Sequence, residues 1–199
     1  YDFRRYYTGR GPLAGRALKL QGTPQSELAV GTLRLRVNFA TAGKEYPEIH
    51  DRRVGRNLST EEARALADEI NAEVAIPGAS FEFRSSIGHR GVLAIRADRP
   101  LSAWIGNTDP AYARIGLGGK VVEEFEDRVQ RCVPMPPPEE KPAATLHNDD
   151  LAAARAAADL VDEFSRLSHE RLNESPVNQR RIAEGKLPAN LVLIRDAGD

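Results

Sequence analysis

The chain of 199 residues has one cysteine, Cys132, so no internal disulfide can form, and that economy fits a reducing compartment. It has no excess of charge of one sign. Lys and Arg number 28 against 29 Asp and Glu, a formal net charge of −1, which argues against a globally basic nucleic-acid binder. No stretch approaches the roughly 18 consecutive apolar residues of a membrane span. Short signatures of common chemistries are missing too. The four histidines, His50, His89, His147 and His169, offer no pair at metal-ligand spacing. There is no His-Glu-x-x-His, no Gly-x-Ser-x-Gly and no Gly-x-x-x-x-Gly-Lys. Gly116-x-Gly118-Gly119 lacks the full dinucleotide fingerprint. From the residues alone, no nucleophile and no metal site is complete.

What is present can build a core. With 41% hydrophobic and 29% charged residues, the composition predicts one ordinary domain, or a domain with a satellite, and excludes global disorder. The first residue is Tyr1 and the only methionine is Met135. Leu191-Val192-Leu193-Ile194-Arg195 reads as a buried strand almost at the end. Together these predict a piece of a longer polypeptide.

Leu33, Leu35, Val37 and Phe39 alternate with polar partners, predicting a strand with one buried face and Arg34, Arg36 and Asn38 on the other. Gly43-Lys44 reads as a turn, with Glu45 to His50 pairing back. Ser59-Thr60-Glu61-Glu62 has the form of a capping box. Ala63, Leu66, Ala67, Ile70 and Val74 then form one apolar helical stripe, ended by Pro77-Gly78. Phe81-Glu82-Phe83 and Gly91 to Arg96 read as an antiparallel ribbon. Val121, Val122, Phe125 and Val129 have helical spacing, predicting a helix over 120–131. Five of the 13 prolines fall in 134–142, predicting an extended linker or loop. From Asp149 to about Asn173 an Ala-rich helix is expected, with Leu151, Ala154, Ala158, Val161, Phe164 and Leu172 buried. A short helix over 177–185 and a strand over 190–195 follow. The fold class predicted is α/β with α+β character, a mixed β-sheet covered by helices.

Arginine recurs beside small polar residues. Arg4, Arg5, Arg10, Arg16 and Lys19 crowd the first 20 residues against Asp2 alone, as a solvated basic face would. Arg34, Arg36 and Asn38 share a strand face, and Asp51-Arg52-Arg53-x-Gly55-Arg56 follows. The planar guanidinium fork binds carboxylate and phosphate oxygens two at a time, so convergent forks would hold a small ligand bearing both anions. The competing reading is an ordinary salt bridge from Asp51. His89-Arg90 is either a solvated turn or an imidazole and guanidinium set against a phosphorylated substrate. Asn107-Thr108-Asp109-Pro110 reads as a turn. Asn178 and Arg181 either bind an anion or decorate a short helix.

Several blocks together resemble one family. They are Tyr6-Tyr7-Thr8-Gly9-Arg10-Gly11-Pro12-Leu13, Arg36-Val37-Asn38-Phe39-Ala40-Thr41, Asp51-Arg52-Arg53-Val54-Gly55-Arg56, Gly88-His89-Arg90-Gly91-Val92-Leu93 and Asn107-Thr108-Asp109-Pro110. Ser175-Pro176-Val177-Asn178-x-x-Arg181 and Gly185-Lys186-Leu187-Pro188-Ala189-Asn190 complete the set. In this order they resemble the archaeal-type 2,3-bisphosphoglycerate-independent phosphoglycerate mutase of the alkaline phosphatase superfamily. The resemblance implies a cytoplasmic isomerase of glycolysis and gluconeogenesis that interconverts 3-phosphoglycerate and 2-phosphoglycerate. It implies a core domain with a serine nucleophile and two divalent metal ions, usually manganese, and an inserted domain that grips the substrate.

The serine and metal motifs are not found in the sequence. Residues 1–199 therefore resemble the inserted substrate-binding domain, expected to be inactive alone, with no catalytic residue, metal ligand or cofactor of its own. Its partners would be the phosphoglycerates and the core domain of the same parent, with no nucleic acid and no membrane. The residues carried over as clamps for glycerate and phosphate are Asp51, Arg52, Arg53, His89, Arg90, Asn178 and Arg181. The alternatives are a related phosphotransferase of the superfamily, homoserine-kinase-like or phosphonate-acting, and a non-catalytic binding domain.

Overall fold

Strand β1 (Thr32–Ala42) is the spine of a five-stranded sheet in the computed structural model, which describes residues 31–43, 45–115, 118–136 and 148–198. It pairs antiparallel with β2 (Ile49–Asp51), β4 (Arg90–Ala97) and β7 (Leu191–Gly198). β4 pairs in turn with β3 (Ala79–Ser85), the edge strand, also antiparallel. A separate two-stranded ribbon joins β5 (Tyr112–Ile115) and β6 (Gly118–Val121). The helices are α1 (Thr60–Glu73), α2 (Asn148–Asn173) and α3 (Pro176–Ala183). This is an α+β arrangement, a sheet with helices packed on it, as the sequence pattern anticipates. The first 30 residues, with their basic run and the first family block, and prolines 137, 138 and 142 lie outside the described residues.

The alternation in β1 sends Leu33, Leu35, Val37 and Phe39 into one core with Phe83, Leu93, Ile95, Val192 and Ile194. Helices α1 and α2 close that core with Leu66, Ile70, Val161 and Phe164. Phe83 stands 5.4 Å from Phe39 and, edge-on, 6.1 Å from Phe164, the tilted geometries that aromatic rings prefer. α1 begins where the capping box places it. Ser59 Oγ accepts from the Glu62 amide, and the Glu62 carboxylate accepts from the Ser59 amide. Such a cap stabilises a helix by about 1 kcal/mol.

Three expectations need correction. The second face of β1 is buried as well: Arg34, Arg36 and Asn38 are all covered. The segment that the spacing predicted as a helix over 120–131 is not helical, and of it Val129 packs on that face beside Ala40 and Leu193. Its backbone donors go elsewhere, Val122 N to Ala111 O, Val129 N to Pro47 O and Gln130 N to Thr108 O. Long-range bonds satisfy these amides without a helix. Val121, meant for a buried stripe, is 63% exposed at the end of β6. In α2 the buried stripe runs through Ala154, Ala158, Val161, Phe164 and Leu172, but Leu151 in the first turn is 51% exposed.

Candidate functional site

The covered face of the sheet holds the site. In an antiparallel pair, residues directly opposite project to the same face. Arg36 lies opposite Arg195 of β7, and Asn38 lies opposite Arg90 of β4. These four side chains join Arg52, Arg53 and Arg56, the turn residues Ile87, Gly88 and His89, and Tyr112 of β5 around a cleft of about 410 Å³. Six guanidinium groups thus meet in one place.

The loop after β2 is folded for this purpose by Asp51. Its carboxylate accepts the amides of Arg53 at 2.7 Å and Gly55 at 3.0 Å. Val54, Gly55 and Arg56 then all have left-handed φ, 55°, 59° and 57°. Glycine tolerates that conformation, but a β-branched valine does so at a cost of about 1–3 kcal/mol. Val54 is fully buried in the main core, which holds the turn in place.

Two of the six arginines have carboxylate partners. Arg52 donates to Asp109 Oδ1 through Nη2 at 2.6 Å and Nε at 3.0 Å, and Arg36 Nη1 donates to Asp196 Oδ2 at 2.9 Å. Arg53, Arg56, Arg90 and Arg195 have no ion-pair partner among the described residues. Arg195 instead lies over the Tyr112 ring, 3.7 Å from its centroid, and Arg52 is 5.4 Å from the same ring. Burial pushes the Tyr112 phenol up, but a hydrogen bond from Arg195 and its charge outweigh that and hold it below its ordinary value.

His89 registers the same field. Burial first, then Arg90, Arg53, Arg56 and Arg195, push its imidazole down to about 4. Near neutral pH it is an uncharged ring with one donor and one acceptor nitrogen. A surplus of fixed guanidinium charge in a partly enclosed cleft is chemically an anion receptor.

The residues expected as clamps divide. Arg52, Arg53, His89 and Arg90 converge on the cleft, and Asp51 shapes its loop. Asn178 and Arg181 do not line it. Arg181 is fully buried and every arm of its fork is used: Nη1 to Glu62 Oε2 at 2.7 Å, Nη2 to Asn57 Oδ1 at 2.6 Å and Nε to Leu187 O at 2.8 Å. Asn178 donates to Leu172 O and accepts from the Ala189 amide. Both tie α3 to its surroundings, and Arg181 braces Asn57 directly behind the arginine turn. Arg195 and Tyr112 were not singled out from sequence, because only the β1–β7 register brings Arg195 opposite Arg36. Asp109, expected in a simple turn, is the buried counter-ion of Arg52.

Comparison with known proteins gives this cleft its context. The sequence model of the family described as 2,3-bisphosphoglycerate-independent phosphoglycerate mutase matches residues 1–178. The chain belongs to that family. Among curated members of this mutase family, the protein of that name from Aeropyrum pernix is 39% identical over 200 residues, covering all of this chain and 43% of the relative. Its counterpart from Methanopyrus kandleri is 38% identical, again across the whole chain and 40% of the relative. The solved cofactor-independent phosphoglycerate mutase from Thermoplasma acidophilum superposes with a TM-score of 0.67 at 28% identity, over all of this chain and 44% of that one. The chain therefore spans about two fifths of the length of these mutases. Among the described residues, no group of three His, Cys, Asp or Glu side chains is placed to hold a metal ion, and no helix is long and apolar enough to cross a membrane.

Proposed function

We propose that residues 1–199 form the substrate-binding part of a phosphoglycerate mutase that interconverts 3-phosphoglycerate and 2-phosphoglycerate in a reducing, cytoplasmic setting. The observation that carries this reading is the convergence of Arg53, Arg56, Arg90 and Arg195, without carboxylate partners, on one cleft of small-molecule size. A phosphoglycerate brings a phosphate and a carboxylate, and paired guanidinium donors match both groups. Arg36 and Arg52, held by Asp196 and Asp109, supply a fixed rim. Neutral His89 can donate one hydrogen bond to an anionic oxygen without adding a further charge.

The chemistry itself would be supplied by a core carrying a serine nucleophile and two divalent metal ions, manganese in the resemblance, which acts as partner to this part. Among the described residues no group of three His, Cys, Asp or Glu side chains fits those metals. This chain's share is to bind, orient and release. Positioning of that kind lowers the barrier to phosphoryl transfer by converting it into an effectively unimolecular step.

Calorimetric titration of the 199-residue chain tests the reading. 3-Phosphoglycerate is expected to bind at least about tenfold more tightly than glycerate or inorganic phosphate, and more weakly as salt is raised. Absence of heat with 3-phosphoglycerate at low salt would refute it.

A further inference from the structure

One cleft residue is of the opposite kind to the rest. Asn38 is 6% exposed, lines the cleft between Arg36 and Arg90, and its buried Oδ1 has no hydrogen-bond partner. Most of the surrounding polar side chains are donors: guanidinium groups have no acceptor at all, the Tyr112 ring lies under the Arg195 guanidinium, and the His89 ring has one donor and one acceptor nitrogen. A buried carbonyl oxygen left unpaired is costly, so native structures keep few of them. A phosphate or carboxylate oxygen cannot satisfy it, because acceptor would face acceptor. An ammonium ligand could, but six guanidinium groups repel it. What remains is an uncharged O–H: water in the free chain, and on binding the hydroxyl of a ligand whose other groups are anionic.

We infer that the Asn38 carboxamide reads the free hydroxyl of the ligand, and so restricts the cleft to phosphorylated hydroxy acids rather than to any compound with two anionic groups. The inference rests on the phosphoglycerate reading above and adds to it a specificity-determining residue. A site built to hydrogen-bond a hydroxyl discriminates against the analogue without one, since the protein acceptor is then stranded.

The test compares 3-phosphoglycerate with 3-(phosphonooxy)propanoate, which keeps the phosphate and carboxylate and lacks the hydroxyl. Titration of the unaltered chain is expected to favour 3-phosphoglycerate by about tenfold, the worth of one well-made hydrogen bond. In Asn38→Ala the preference is expected to fall to within about twofold. In the unaltered protein, NMR should show the Asn38 side-chain amide signals moving with 3-phosphoglycerate and staying in place with the analogue. This readout holds even if the variant folds poorly. Equal affinity of the unaltered chain for the two ligands would overturn the inference and leave the anion cleft standing. Equal weakening of both ligands by Asn38→Ala would also overturn it, leaving Asn38 a structural role only. Binding of neither ligand would overturn this inference together with the function it rests on.

Discussion

Replacing Arg181 and Arg53 in turn by methionine separates an arginine that holds the fold from one proposed to hold a ligand. Arg181 donates to Glu62, Asn57 and the Leu187 carbonyl, and it is fully buried. Methionine fills much of the volume but returns none of the three hydrogen bonds, and it leaves Glu62 without its cation. At about 1 kcal/mol per bond, with the charged one at the upper end, Arg181→Met should cost about 3 kcal/mol. That is a large part of the 5–15 kcal/mol typical of a domain. With a urea slope of about 2 kcal/mol per molar, the midpoint falls by about 1.5 M. Affinity for 3-phosphoglycerate, measured where the variant is still folded, should change by less than about twofold. Arg53→Met should do the reverse. It removes one of several unneutralised charges, so stability shifts by less than about 0.5 kcal/mol, while affinity drops roughly 10- to 100-fold with the lost charge-assisted contact. Acid titration adds a signature. Burial pushes the Glu62 carboxyl up, but the Ser59 amide and Arg181 outweigh it and hold it low. Its contribution is present above the ordinary carboxylate range and lost as pH falls through the depressed value. That acid limb should be shallower in Arg181→Met. If Arg181→Met kept the midpoint and abolished binding, the buried network would not be what occupies this side chain.

Two further outcomes follow from named contacts. Asn71 mimics a neighbouring strand for the edge strand β3, donating to Phe83 O at 2.7 Å and accepting from Phe83 N at 2.8 Å. Asn71→Ala should lower stability by about 1–2 kcal/mol in urea melts and raise self-association in sedimentation, since it frees a sheet edge; an unchanged midpoint would count against the pairing. His89 has a folded value of about 4 against an ordinary 6.5. Between those values the unfolded chain binds more protons, so stability from this residue is full above about 6.5 and lost as pH falls towards 4. An anion that neutralises the arginines should raise the value, so the His89 ring resonances, followed by NMR as pH is lowered, are expected to titrate at higher pH with 3-phosphoglycerate bound; an unmoved midpoint would count against the coupling.

Local signals carried much of the fold. The Ser59 box set the start of α1 to the residue, the period-two pattern placed β1 and β3, and a short apolar run bounded by Gly and Pro placed β4, because such signals act over a few residues. The segment after β6 defeated the same logic. Val121, Val122, Phe125 and Val129 have helical spacing, yet their backbone is claimed by Ala111, Pro47 and Thr108 from distant loops. At the site, sequence neighbours were legible together: Arg52 with Arg53, and His89 with Arg90. What stayed hidden was register. Arg195 reaches the cleft only through its pairing with Arg36, 159 positions away in the chain by their numbers, and Asp109 matters only because it lies against Arg52. Arg181 shows the complementary ambiguity, since a fork suited to an anionic ligand is equally suited to Glu62, its partner in the free chain.

The places where local rules are broken point to the cleft as well. Val54 and Arg56 have left-handed φ in the arginine turn, and Asp196, the partner of Arg36, has φ 55°. The β1–β7 ladder shifts register between Arg34 and Arg36, which is where Arg195 meets the sheet. Such bulges re-aim side chains at a loss of ladder pairing. The unpaired Asn38 oxygen and the four unneutralised arginines belong to the same region. The left-handed valine, the bulged ladder and the stranded acceptor each run against local preference, and the fold gathers them on one face. Their concentration there is what an anionic ligand, absent from the free chain's energetics, would account for: on binding it neutralises the charge and occupies the open acceptor together.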